Sequence, residues 1–204
     1  MDLTAVAGHE PREVAGGVGG TEGVTRDVRE AAVLAPVVER SGDPHLLFTR
    51  RADHLGEHAG QMSFPGGGRE PVDADLLDTA LREASEEIGL RRDEADPVGQ
   101  VDDILTVTDY AVRPFVARVP DREYVPDERE VAEVAVLPVA ALIDPENYEY
   151  ETREHPEYGE ILVHYFHVDG YTVWGATGRI LAQLLELTTD WSRPATNDRL
   201  DPRA

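Results

Sequence analysis

The sequence predicts a single α+β or α/β sandwich domain, and three observations carry that prediction. Strand-like apolar segments follow one another in groups instead of alternating strictly with helices, which argues against a doubly wound sheet. Helical spacing is confined to residues 74–88, a short stretch at 138–143 and a closing segment at 175–187. The 204 residues suffice for one apolar core, and with no cysteine that core has no disulfide framework to lean on.

Taken in order, residues 1–23 are rich in Gly and Glu, show no period and are expected to form a flexible leader. "REAAVLAPVVER" (29–40) is the apolar run of a buried strand, "SGDP" turns, and "HLLFTRRA" (45–52) completes a hairpin. "QMSFPGGG" (61–68) is a short strand ending in a glycine loop. Further strands are expected in "PVGQVDDILTV" (97–107), "AVRPFVARV" (111–119) and "EVAEVAVLPV" (130–139). A last pair, "EILVHYFHV" and "YTVW", precedes the closing helix "GATGRILAQLLEL". The domain is expected over 24–188, with a tail over 189–204.

Composition excludes several function classes. A formal charge of −22 argues against a nucleic-acid coat, which needs a basic face. No apolar run reaches the roughly 18 residues of a membrane span, and no signal-peptide pattern stands at the N-terminus, so a cytoplasmic protein is the default. All 19 basic residues are arginine. Strong acidity without lysine fits a halophilic protein, in which salt screens self-repulsion, or a genome that favours arginine codons. Without cysteine there is neither a thiolate metal site nor a cysteine nucleophile. Ser63 has no base beside it in sequence.

The helix at 74–88 breaks three local rules together. Leu77, Ala80, Leu81, Ala84 and Ile88 form its apolar stripe, and Glu83 and Glu87 border that stripe one turn apart, with Glu86 beside them. Glu87 falls in angle between Leu76 and Ala80, so a half-buried carboxylate is expected there, costly if unpaired. Gly89 suits the left-handed residue that closes a helix, which leaves Glu86 and Glu87 in the last turn, where the dipole disfavours anions. A hard divalent cation shared by oxygen ligands at i, i+3 and i+4 would relieve all three conflicts. "SFPGGG" just before brings bare backbone that a phosphate or metal can approach closely. By the same helix count Arg82 points away from the cluster, toward an acid of the loop such as Asp73 or Glu70.

Residues Gly66 to Leu90, "GGGREPVDADLLDTALREASEEIGL", resemble the Nudix box, with Arg82, Glu83, Ala84, Glu86, Glu87, Gly89 and Leu90 matching its second half. In the first half the usual glutamate falls on Ala74, and an insertion after Gly67 would place Asp73 in that slot. "LFTRRADHLGEHAGQMSFPGG" (47–67) is similar to the signature of coenzyme A pyrophosphatases: Thr49, Arg51, Ala52, Gly60, Phe64, Pro65, Gly66 and Gly67 match. Phe48 replaces a leucine, and Gly56 stands where that signature has a second arginine. "VWGATGRIL" (173–181) resembles the closing helix of the same branch.

The resemblance implies the Nudix fold, an α/β/α sandwich with a mixed β-sheet, and hydrolysis of a diphosphate linked to a nucleoside. The implied cofactor is Mg²⁺ or Mn²⁺, held by Glu83, Glu86 and Glu87 with a backbone carbonyl of Gly67 or Gly68. Glu87, Glu86, Arg82 and Glu130 are the implied catalytic residues, and Arg51, His58, Gly66 and Gly67 the implied substrate contacts. The implied partner is a coenzyme A-like nucleotide, with no nucleic acid and no membrane; related domains often form homodimers. ADP-ribose, a dinucleotide or a nucleoside triphosphate is the alternative substrate, and a silent ligand sensor the alternative role. His164 and His167 fall on opposite faces of one strand and cannot ligate together. Tyr171 and Trp174 read as core or rim aromatics rather than a stacking platform.

Overall fold

The protein is described by a computed structural model covering residues 1–13, 28–55, 59–155 and 159–193. Its spine is a parallel pair, β1 (Arg29–Arg40) and β7 (Tyr110–Val119), in register from Arg29 opposite Tyr110 to Val38 opposite Val119. Both strands are covered on two faces, hence their nearly unbroken apolar runs. β2 (Asp43–Arg51) returns against β1 through Ser41 and Gly42, both at positive φ (55° and 88°), the backbone a two-residue hairpin requires. Around these lie β3 (Met62–Ser63) and β8 (Val131–Pro138) on β2, and β4 (Gly66–Gly68) on β1. β5 (Asp96–Gln100) and β6 (Ile104–Leu105) pair with β7 and complete an eight-stranded mixed sheet.

Helices cover both faces of that sheet. Ala32, Leu34 and Val38 of β1 meet Ala80, Ala84 and Ile88 of α2 (Leu76–Ile88). The alternate residues Ala31, Ala35 and Val37 share a core with the short α3 (Val139–Leu142) and with Leu181, Leu184 and Leu185 of α4 (Gly175–Thr188). The second face also carries a small antiparallel sheet of β9 (Tyr148–His155), β10 (Gly159–Val168) and β11 (Tyr171–Trp174). The result is the expected α/β/α sandwich with a mixed sheet. Truncating a side chain as enclosed as Leu34, which has no exposed surface, would cost about 2–5 kcal/mol.

Three expectations need correction. Residues 1–13 are no loose leader: α1 (Thr4–Ala7) seats Val6 in the core, and Asp2 N donates to Thr188 O at 2.7 Å. The Gly/Glu composition concealed Val6, a single apolar anchor without a period to reveal it. The tail is likewise attached over 189–193, where Trp191 packs edge-on against Tyr148 and Arg193 pairs with Glu186. Residues 14–27 and 194–204 lie outside the described residues. Finally, β9 was not foreseen, because its sequence "YEYETREH" has no apolar face; it is exposed along nearly its whole length and takes its conformation from pairing with β10. On β10, His164 is fully buried and held neutral by burial, its pKa down to about 3, while His167 is exposed.

Candidate active site

The glycine loop is a strand edge fitted against two neighbours. Gly66, Gly67 and Gly68 pair with Val33, Ala32 and Ala31. A Cβ on Gly66 would stand 2.4 Å from the Ala32 carbonyl oxygen and 2.6 Å from Val33 Cα, both backbone atoms that cannot yield. A Cβ on Gly67 would meet Glu83 Oε1 at 2.5 Å. Glycine is therefore required at Gly66 so that β1 can close on the loop, while at Gly67 it leaves room for the carboxyl end of Glu83. Gly66→Ala is expected to separate β4 from β1 at a cost of about 3 kcal/mol, seen as a fall in Tm of roughly 5–10 °C by calorimetry.

α2 starts at Asp75, whose side chain accepts from Asp78 N at 2.8 Å, and stops at Gly89 (φ 64°), after which the buried Leu90 folds back. These caps set the rotation of the helix, and with it the three glutamates. Glu86 is exposed; Glu83 and Glu87 are half-buried. The core takes Leu76 and Leu81 at its edge, together with the buried Thr79, where the helical stripe had offered Leu77.

Arg82 does not point away from the cluster, as the helix count suggested. Its Nε and Nη2 donate to the two oxygens of Asp73 at 2.9 and 3.1 Å, and Nη2 also reaches Gly68 O at 3.1 Å. Nη1 donates to Glu83 at 3.0 Å and to Glu86 at 3.1 Å. The long side chain lies back along its own helix, so a residue placed opposite by angle still delivers its guanidinium to the acids. Asp73, buried, also accepts from Glu70 N and Thr79 Oγ1, and Arg82 holds its carboxyl well below the usual carboxylate range. The open alternatives for the partner of Arg82 thus resolve to Asp73.

Glu87 is different in kind. It accepts from the Gly66 backbone, yet its Oε2 is buried with no hydrogen-bond partner. Burial first, then the neighbouring charges of Glu83 and Glu130, push its pKa up to about 8; Arg51 opposes them weakly. Burial also raises Glu83, against the pull of Arg82. Glu130 is carried to the site by backbone bonds from Ala52 N to Glu130 O (2.8 Å) and from Asp127 N to Glu87 O (2.9 Å).

The three glutamates do not form a ready ligand nest. Among the described residues no three Asp, Glu or His side chains stand close enough to share an ion. Arg82 occupies the space between Glu83 and Glu86, and Glu87 is drawn toward Gly66. The donor set nonetheless fits a hard divalent cation: an orphaned buried carboxylate oxygen, a second half-buried carboxylate and a bare glycine backbone. Gly68 O already accepts from Arg82 but keeps a second lone pair.

A cavity of about 610 Å³ opens from Glu87. Arg51 and Gly66 also line it, as do residues of β9 and β10, Trp174 and the first turn of α4. His58, and Gly56 at the place of the missing arginine, lie outside the described residues. The part of the wall formed by Arg153, Trp174 and Thr177 was not foreseen as part of a site. Its trace in the sequence was "VWGATG", a glycine-broken entry to a helix.

A family model for the NUDIX domain matches residues 28–159. The chain belongs to the Nudix hydrolases. Among similar proteins is one named uncharacterized Nudix hydrolase NudL of Enterobacter sp. (strain 638), 38% identical over 168 residues, covering 79% of this chain and 85% of that protein. The NudL of Escherichia coli O157:H7 is 35% identical over 162 residues, covering 78% of this chain and 83% of its own length. Of solved structures, a MutT/nudix family protein from Enterococcus faecalis superposes with a TM-score of 0.52 at 13% identity, over 82% of this chain and 70% of that one. A NUDIX hydrolase from Alicyclobacillus acidocaldarius gives 0.50 at 20% identity, over 57% and 82%. At such identities these two speak for the Nudix fold alone. Nudix hydrolases in general use divalent cations such as Mg²⁺ or Mn²⁺.

Proposed function

We propose that this Nudix hydrolase splits the diphosphate of coenzyme A or an acyl-coenzyme A, giving 3′,5′-ADP and the (acyl-)4′-phosphopantetheine. The observation that carries this reading is the size of the cavity that holds Glu87 and Trp174, lined also by signature residues Arg51, Phe64 and Gly66. At about 610 Å³ it has room for a nucleoside together with a further group on the diphosphate, which a site for a bare nucleoside triphosphate would not need.

Glu83, Glu86 and Glu87, with the Gly67 or Gly68 carbonyl, would hold the divalent cation. When bound, such a cation neutralises diphosphate oxygens and the charge that develops on the leaving phosphate. Arg51 stands where a guanidinium can grip a phosphate in bidentate fashion. Water forms a new P–O bond as the bridging P–O bond breaks, and its proton passes to Glu87 or to Glu130. Arg82, through Asp73 and Gly68 O, keeps the loop from drifting as the charge moves.

The test is product identification by mass spectrometry in molar KCl with Mg²⁺ or Mn²⁺, over coenzyme A, acetyl-coenzyme A, ADP-ribose, NADH and dGTP. Appearance of 4′-phosphopantetheine, absent with Glu87→Gln, is the expected result. Cleavage of another member in its place would discard the coenzyme A assignment. A folded protein that cleaves none of them would favour a sensor.

A further inference from the structure

Trp174 is the last residue of β11, and its half-buried indole lines the cavity that also holds Glu87. The register pairs it with Tyr165 on β10, and the two rings stack at 5.9 Å with planes 10° apart. Tyr165 in turn stacks on His167 at 6.3 Å and 7°. Tyr165 is itself held by Arg153, another residue of the cavity wall. Immediately after Trp174 the chain swings at Gly175, with φ 65°, into α4. The indole is therefore fixed in plane by a ladder of three rings and left at the cavity wall.

A rigid flat π surface is useful to one kind of ligand. A flexible amide or acyl arm gains only contact area from it. A purine gains the whole stacking interaction, and little rotamer freedom is lost by a ring already held in place. The threonines Thr106 and Thr108, also lining the cavity, bond each other at 3.0 Å, and the polar groups this leaves over suit the edge of a base.

We propose that Trp174 is the base-stacking residue of this enzyme: the nucleobase lies on the indole, the diphosphate lies between Arg51 and Glu87, and the remaining half of the substrate leaves toward the cavity mouth. This rests on the substrate being a nucleoside diphosphate derivative, not on its being coenzyme A. Trp174 is then a specificity residue, which sets affinity for the base and leaves the chemical step alone.

The chain has two tryptophans, so Trp191→Phe, on the far side of the core against Tyr148, leaves Trp174 as the sole tryptophan reporter. In that background AMP and 4′-phosphopantetheine are titrated separately, in Mg²⁺, and indole emission is followed. AMP is expected to quench it saturably and 4′-phosphopantetheine to leave it unchanged. Trp174→Ala should weaken AMP binding, read by calorimetry, about 10- to 100-fold with Tm preserved, while Trp174→Phe stays within a few-fold of the parent. For whichever substrate is turned over, the alanine variant should raise KM by the same factor with kcat within about threefold. Quenching by 4′-phosphopantetheine but not by AMP would overturn the proposal, as would AMP binding that neither moves the emission nor responds to Trp174→Ala. Because AMP binding needs no turnover, a failed coenzyme A assignment leaves this result standing, and the reverse holds equally.

Discussion

Glu87→Gln is expected to lower turnover by about three orders of magnitude while making the metal-free protein more stable. Both effects come from one oxygen. Glu87 Oε2 is buried without a partner, and burial together with Glu83 and Glu130 places the pKa near 8. A carboxyl raised in the folded state contributes stability in its protonated form, fully present below the unfolded value near 4.5 and lost as the pH rises through about 8. The displacement corresponds to at most about 5 kcal/mol. Glutamine keeps the neutral form at every pH, so the variant should match the parent near pH 4 and gain on it steadily toward pH 9. Chemical denaturation at a series of pH values in EDTA, set beside turnover with Mg²⁺, reads both. An advantage that does not grow with pH would mean that Glu87 is solvated, and an active variant would remove it from the chemistry. A residue that destabilises its own fold and is indispensable to the reaction is what a functional site predicts.

The second large effect is expected at Arg82. Asp73 is almost wholly enclosed and receives Arg82 through two nitrogens, with the Glu70 amide and Thr79 hydroxyl completing its shell. Arg82→Ala leaves that carboxylate buried without its counter-charge and should cost about 3–5 kcal/mol. Lysine, a point charge, cannot serve Asp73, Gly68 O, Glu83 and Glu86 together, so Arg82→Lys should recover little. The pH dependence has the sign opposite to that of Glu87. Because the Asp73 pKa is lowered on folding, its contribution is complete above the unfolded value near 3.8 and disappears as the pH falls below it. Parent and Arg82→Ala should therefore converge in stability toward pH 2 and stand furthest apart above pH 5, measured by urea unfolding. Double substitution with Asp73→Asn should recover part of the loss, since no unpaired charge is then left inside.

Local rules went a long way here. Apolar runs placed β1, β2, β7, β8 and β10, and the helical spacing over 74–88 with Gly89 as its stop bounded α2 within about two residues. The family was legible because its chemistry needs acids at fixed helical spacing behind a glycine loop, a pattern that breaks local preferences. What escaped were elements stabilised from outside. β9 has only its partner strand to make it a strand, and α1 is anchored by one valine. Arg82 illustrates the same limit within the site: helical angle located its Cα, but the four acceptor residues that claim the guanidinium come from β4, the loop after it and α2 itself.

By itself, then, the sequence determined the class of fold, the family and the acidic helix, because periodicity, capping and motif spacing are properties of neighbours along the chain. Only the tertiary structure decided that Asp73 is the counter-charge of Arg82, that Glu87 is the acid left unsatisfied, and that Trp174 faces the same cavity. Each of these depends on burial and on groups far apart in sequence: Glu87 owes its altered pKa to the desolvation imposed by its surroundings, to Glu83 and to Glu130, which arrives from the turn before β8.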